Sequence, residues 1–169
     1  MLGYICKYAP VEVFEAMGVP MRRIEPDVTN FNQAEMKMHP NICSFAKGVL
    51  EDVMDGGYEG IILTTCCDSI RRLYDVLRKE LPDRFIYMLD TPRIMGEAGT
   101  ALYEQRIRAM IQAYEEFSGK RFSEPELGRV LRRKQESQKK HRISVDRERV
   151  NVGILGARAN ESIRRILEE

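Results

Sequence analysis

The chain has 169 residues, and 27 Lys and Arg against 26 Asp and Glu leave a net charge of +1. One domain takes about 100–200 residues, and 43% apolar with 31% charged residues is the balance of a globular chain, which excludes general disorder and a fibrous protein. Even charge gives no overall pull toward nucleic acid or an anionic membrane, no apolar run approaches the roughly 20 residues of a membrane span, and Met1-Leu2-Gly3-Tyr4-Ile5-Cys6 lacks the regions of a signal peptide, so neither nucleic acid nor membrane is expected as a partner and the cytoplasm is the expected compartment.

Leu2 to Lys7 is a short apolar segment that predicts a strand. Pro10 stands where a helix can start, Val11, Val13, Phe14 and Met17 recur at helical spacing, and Gly18 closes the pattern as a C-terminal cap. Val19 to Ile24 predicts a second strand, and 25–38 read as polar and irregular. A helix of roughly Ile42 to Met54 follows His39-Pro40-Asn41, with Ile42, Phe45, Val49, Leu50 and Val53 on one face. Gly60 to Cys66 is an uninterrupted apolar and β-branched run, the pattern of a strand buried on both faces. Asp68 is the expected cap of the next helix, whose stripe is Ile70, Leu73, Tyr74 and Leu77. Phe85 to Leu89 predicts another buried strand. Strands alternating with helices at this spacing imply an α/β fold, a Rossmann-like open parallel sheet with flanking helices.

The pattern changes after residue 95. A long helix is expected over 97–117, broken by Ser118-Gly119, and a further helix opens at Ser123-Glu124-Pro125-Glu126, where Ser123 and Glu126 have capping-box spacing. From 120 to 149 there are 11 Lys and Arg against 5 Asp and Glu, which fits a solvated helix and linker or a docking surface for an acidic or phosphate-bearing partner. Val150 to Leu155 predicts a strand and about Glu161 onward a helix; Gly153-Ile154-Leu155-Gly156 lacks the full glycine fingerprint of a phosphate turn. The expected organisation is a Rossmann-like domain over 1–95, a helical segment with a basic linker over 96–149, and a truncated βα unit over 150–169.

Ligands of open parallel sheets bind outside the carboxyl ends of the strands, and the four cysteines fall at such places. Cys6 ends the first strand, Cys66 and Cys67 end the strand begun at Gly60, and Cys43 lies in the first turn of its helix. Cys67 also stands at a helix N-terminus, where the dipole favours a thiolate. Thiolates suit zinc and iron–sulfur clusters. The same residues also fit small buried hydrophobes or a redox thiol pair, although a vicinal Cys66–Cys67 disulfide is strained. His39 fits a loop or cap residue as well as a ligand or proton donor.

Five segments taken together carry a resemblance. They are Cys6-Lys7-Tyr8-Ala9-Pro10-Val11-Glu12 with Ala16-Met17-Gly18-Val19-Pro20; His39-Pro40-Asn41-Ile42-Cys43-Ser44-Phe45; Thr65-Cys66-Cys67-Asp68-Ser69-Ile70-Arg71-Arg72-Leu73-Tyr74-Asp75; Leu89-Asp90-Thr91-Pro92-Arg93; and Phe117 to Leu127. Over roughly residues 4–130 the chain resembles the 2-hydroxyacyl-CoA dehydratase D-component family, which also holds benzoyl-CoA reductase subunits and double-cubane cluster proteins. The resemblance implies a [4Fe–4S] cluster or a double cubane, fed with single electrons by an ATP-dependent activator. In the dehydratases, an electron passed to the thioester carbonyl makes a ketyl radical that expels the β-positioned hydroxyl. By position, Cys43 and Cys67 match the family's cluster cysteines, and Cys6 matches a cysteine of the double-cubane branch. Cys66, Asp68 and His39 are then expected around the ligands rather than as ligands. Family members continue into a second Rossmann-like domain that supplies a further cysteine, whereas only Val150–Glu169 resembles its start here and no cysteine follows Cys67. A second subunit or homologue is therefore expected to complete the site, with acyl-CoA or another small molecule as substrate. The alternative is a non-catalytic remnant or assembly module that docks a full-length homologue or the activator.

Overall fold

Four short strands pair in parallel in the order β2-β1-β3-β4: β1 is Leu2–Tyr4, β2 Met21–Arg23, β3 Gly60–Thr64 and β4 Phe85–Leu89. The molecule is represented by a computed structural model that describes residues 1–28, 30–140 and 166, the side chains of 138–140 excepted. The chain divides into two compact units, Met1–Leu131 and Arg132–Glu169. The strand expected over Val150–Leu155 lies outside the described residues, as does the helix after it apart from Ile166, which is helical.

The helices are α1 (Val11–Ala16), α2 (Asn32–Lys37), α3 (Ser44–Asp55), α4 (Asp68–Glu80), α5 (Glu97–Ser118) and α6 (Glu124–Lys140). Two apolar layers sandwich the sheet. One holds Val49, Leu50 and Val53 of α3 with Ile70, Leu73 and Leu77 of α4, all packed on Ile61 and Leu63. The other holds Val13 and Phe14 of α1 with Met110, Ile111 and Tyr114 of α5, packed on Leu2 and Ile62. Successive side chains of a strand point to opposite faces, so β3, wholly buried, feeds both layers, as its unbroken apolar run predicts.

Four local expectations are corrected. The second strand is only Met21–Arg23, because Val19 leaves the ladder to pack with Phe14 and Met17. Phe85–Leu89 is a strand at the edge of the described sheet, buried at Phe85 and Leu89 and half-buried between them. Residues 25–38 are not wholly irregular, for they contain α2. Its amide at Ala34 is satisfied from another helix, by Oε1 of the buried Glu51 at 2.8 Å. At α6, Ser123 Oγ accepts from the Glu126 amide at 3.5 Å, but the Glu126 carboxylate pairs with Arg129 rather than closing the box. The glycine stops hold: Gly18 and Gly119 sit at φ 67° and 72°, left-handed geometry that suits glycine.

Candidate functional site

In a sheet of order 2-1-3-4 the order in which strands are added reverses between β1 and β3, and that switch point is where open α/β sheets open a crevice at the strands' carboxyl ends. Cys6 follows β1, and Cys66 and Cys67 follow β3, so three of the four thiols flank it. Tyr4 pairs with Ile62 in the ladder, and Cys6 follows Tyr4 by two residues in the bend after β1. The reading of the cysteines as buried hydrophobes is overturned: Cys43, Cys66 and Cys67 are exposed and Cys6 is half-buried. All four are free thiols.

The turn that carries the vicinal pair is tight. The Cys66 amide closes on Thr64 O at 2.7 Å, a three-residue turn at a strand end. Cys67 is then the N-cap residue of α4, and its carbonyl accepts the first helical bond from the Arg71 amide at 3.2 Å. The expected cap, Asp68, is instead the first helical residue; the Cys67 side chain makes no cap bond, and the Asp68 carboxylate stands in solvent 4.0 Å from Arg71. Its negative charge still suits that end of the helix dipole. Burial pushes the Cys66 thiol up, the Thr64 hydroxyl pulls it down, and the neighbouring Cys67 and Cys6 thiols push it up again. The Thr64 hydroxyl is buried and has no hydrogen-bond partner among the described residues.

Cys43 occupies the corresponding place on α3, whose N-cap it is. Its carbonyl accepts from the Lys47 amide at 3.2 Å. Because α3 leads back into parallel β3, its N-terminus belongs to the carboxyl edge of the sheet. His39 shapes the approach to it: Nδ1 accepts from the Asn41 amide at 3.2 Å and the carbonyl accepts from the Ile42 amide at 3.0 Å. That is the loop role, with the ring exposed. Cys43 is not among the groups that shift Cys66. Among the described residues, no three His, Cys, Asp or Glu side chains gather around one point as the ligands of a single metal ion would.

Two features of this edge carry no signal of periodicity or spacing. A cavity of about 450 Å3 opens between the loops after β1 and β4, walled by Tyr8, Thr91, Pro92, Ile94, Met95 and Tyr103. The Tyr103 hydroxyl donates to Tyr8 O, and burial raises its pKa, with Cys6 adding to the rise. The second feature is a polar junction of Thr65, Asp90 and Thr91. Its traces in the sequence are the Thr65 that opens one segment of the resemblance and the Leu89-Asp90-Thr91-Pro92-Arg93 segment, neither of which suggests the bond between them.

Parallel order, helices on both faces and thiols at the switch point define a Rossmann-like α/β protein with a cysteine-bearing rim. Its family is shown by the comparison with known proteins: residues 6–155 match the family described as 2-hydroxyglutaryl-CoA dehydratase, D-component, and the chain belongs to it. No curated protein matches the chain. Membership makes this a dehydratase-type component, as the resemblance implies. No helix among the described residues is long and apolar enough to cross a membrane.

Proposed function

We propose that this chain is an iron–sulfur component of a 2-hydroxyacyl-CoA dehydratase-type or double-cubane reductase system, with Cys43, Cys67 and Cys6 as ligands of a [4Fe–4S] cluster. The observation that carries the reading is the position of Cys6 and Cys67 on either side of the β1/β3 switch point, with Cys43 on the N-cap of α3. By donor chemistry the rim fits such a cluster, which takes thiolates. When bound, the cluster supplies low-potential single-electron transfer. The chain's own residues supply exposed cysteines on two helix N-caps. A partner chain completes the ligand set, and an ATP-dependent activator delivers the electron. An acyl-CoA or another small molecule is the substrate.

Anaerobically purified or reconstituted protein is expected to be brown, with iron and acid-labile sulfide in near-equal amounts. Cys43→Ala and Cys67→Ala should each lose most of that iron. Colourless protein after anaerobic reconstitution, with and without a partner chain, overturns the reading.

The excess of Lys and Arg over 120–149 favours a second reading, an assembly module that docks the activator or a full-length homologue. Arg132 and Arg133 are exposed on α6. Capture of the partner that survives Cys43→Ala with Cys67→Ala, but fails after Arg132→Glu with Arg133→Glu, is the outcome this reading expects.

A further inference from the structure

We propose that Thr65 is a positioning residue, whose side chain pins the turn that presents Cys66 and Cys67 to the loop that leaves β4. Thr65 is the centre of the turn closed by the Cys66 amide on Thr64 O. Among the described residues no non-glycine residue has positive φ, so this is the inverse form of the three-residue turn, common at strand ends. One short internal bond is a weak hold on a loop, and Thr65 is held from outside at three points. Its amide donates to Leu89 O at 3.2 Å. Its hydroxyl donates to Asp90 Oδ1 at 2.8 Å and accepts from the Thr91 amide at 3.1 Å. A hydroxyl has one proton to give and lone pairs to receive, and here both roles are taken.

The residue is about nine-tenths buried, so its hydroxyl depends on these protein partners. Asp90 is in turn 3.9 Å from Arg106 on α5. The Leu89–Pro92 segment, which carries no ligand, thus acquires a role: it is the anchor for the cysteine turn. A valine at position 65 would fill nearly the same volume and keep the amide bond to Leu89 O, but could make neither of the hydroxyl's bonds. The inference borrows from the preceding reading only that Cys67 is a working thiol.

The test uses the full chain without metal. Alkylation by iodoacetamide is followed at each cysteine by peptide mass spectrometry, with Cys43 as the internal reference. In Thr65→Val, Cys66, which stands on the turn that the hydroxyl pins, should react about tenfold faster relative to Cys43, the order that one lost charge-assisted hydrogen bond gives to a local opening. The Thr91 amide should exchange faster in the same variant. Thr65→Ser keeps the hydroxyl and should restore both rates, which a merely space-filling role would not produce. If Thr65→Val does not fold, Asp90→Ala removes the acceptor from the solvent side and should shift the Cys66 rate in the same direction. An unchanged Cys66 rate in the variant that folds, or a serine variant that behaves like valine, overturns the proposal. Iron loading of the wild type is scored separately: failure to load removes the cluster and leaves the thiol rates to judge Thr65.

Discussion

Gly60 shows how much can rest on one missing carbon. It pairs with Phe85 in the β3–β4 ladder, and a Cβ built on it would stand 2.3 Å from Phe85 O. The atoms it would meet are the carbonyl and Cβ of Phe85, held in the ladder and with no flexible end to move aside. Gly60→Ala is expected to lower stability by about 1–3 kcal/mol, read as a drop in the urea midpoint with unchanged slope; an unchanged midpoint would show that the ladder relaxes freely. The sequence placed this glycine at the head of a buried strand but gave no reason for it, since the reason is a carbonyl 25 positions on. The same limit explains the site. The cysteines were legible because each sits at a strand end or a helix start that local pattern marks. Thr65, Asp90 and Thr91 were not, because their bonds join two loops and neither loop has a period. Asp68 was legible as helix-opening chemistry, but the cap position fell one residue earlier, on Cys67, since the turn at Thr65 consumes the intervening backbone.

At the scale of elements, helices with apolar stripes were read with ends within a residue or two, and α2 was missed. Six residues are too few for a helix to stand alone, and Asn32–Lys37 carries no side-chain cap bond of its own. Its support comes from elsewhere: Glu51 on α3 accepts the Ala34 amide, and Lys37 meets Glu80 on α4 at 2.6 Å. No local pattern can announce a cap supplied from 17 residues away. Glu51→Ala should therefore leave a buried amide without a partner and cost about 1–3 kcal/mol, with loss of amide protection concentrated in α2. Glu51→Gln keeps a carbonyl oxygen at the same reach and should retain most of both. Equal losses in the two variants would mean that the charge, rather than the acceptor, holds the helix.

Across Met1–Leu131, the two apolar layers leave an imprint on the response to alkali. Tyr114 is fully buried, edge-on to Phe14 at 5.2 Å and to Phe85 at 5.0 Å. Its hydroxyl donates to Glu59 Oε1 at 3.2 Å. Burial first, then the Glu59 charge, push its pKa up to about 12. Tyr58, Tyr87 and Tyr103 are raised as well, in each case mainly by burial, and Cys66 shares the direction. All five groups act with one sign. In the unfolded chain a tyrosine loses its proton near pH 10, while the folded chain still holds it, so unfolding releases protons and stability falls as pH rises. The contribution is fully present below about pH 10 and, for Tyr114, is lost progressively up to about pH 12. Thermal midpoints should be level through neutrality and decline above about pH 10, the Cys66 part of the decline beginning earlier, in the thiol range. Tyr114→Phe keeps the ring contacts and loses one hydrogen bond to an exposed carboxylate, so at pH 7 it should cost only about 1 kcal/mol. It also removes the group with the largest rise, so its midpoint should fall less steeply with pH than that of the wild type, and the two curves should converge in alkali. Parallel curves from pH 8 to 11 would show that Tyr114 is not what couples the packing of these layers to proton release.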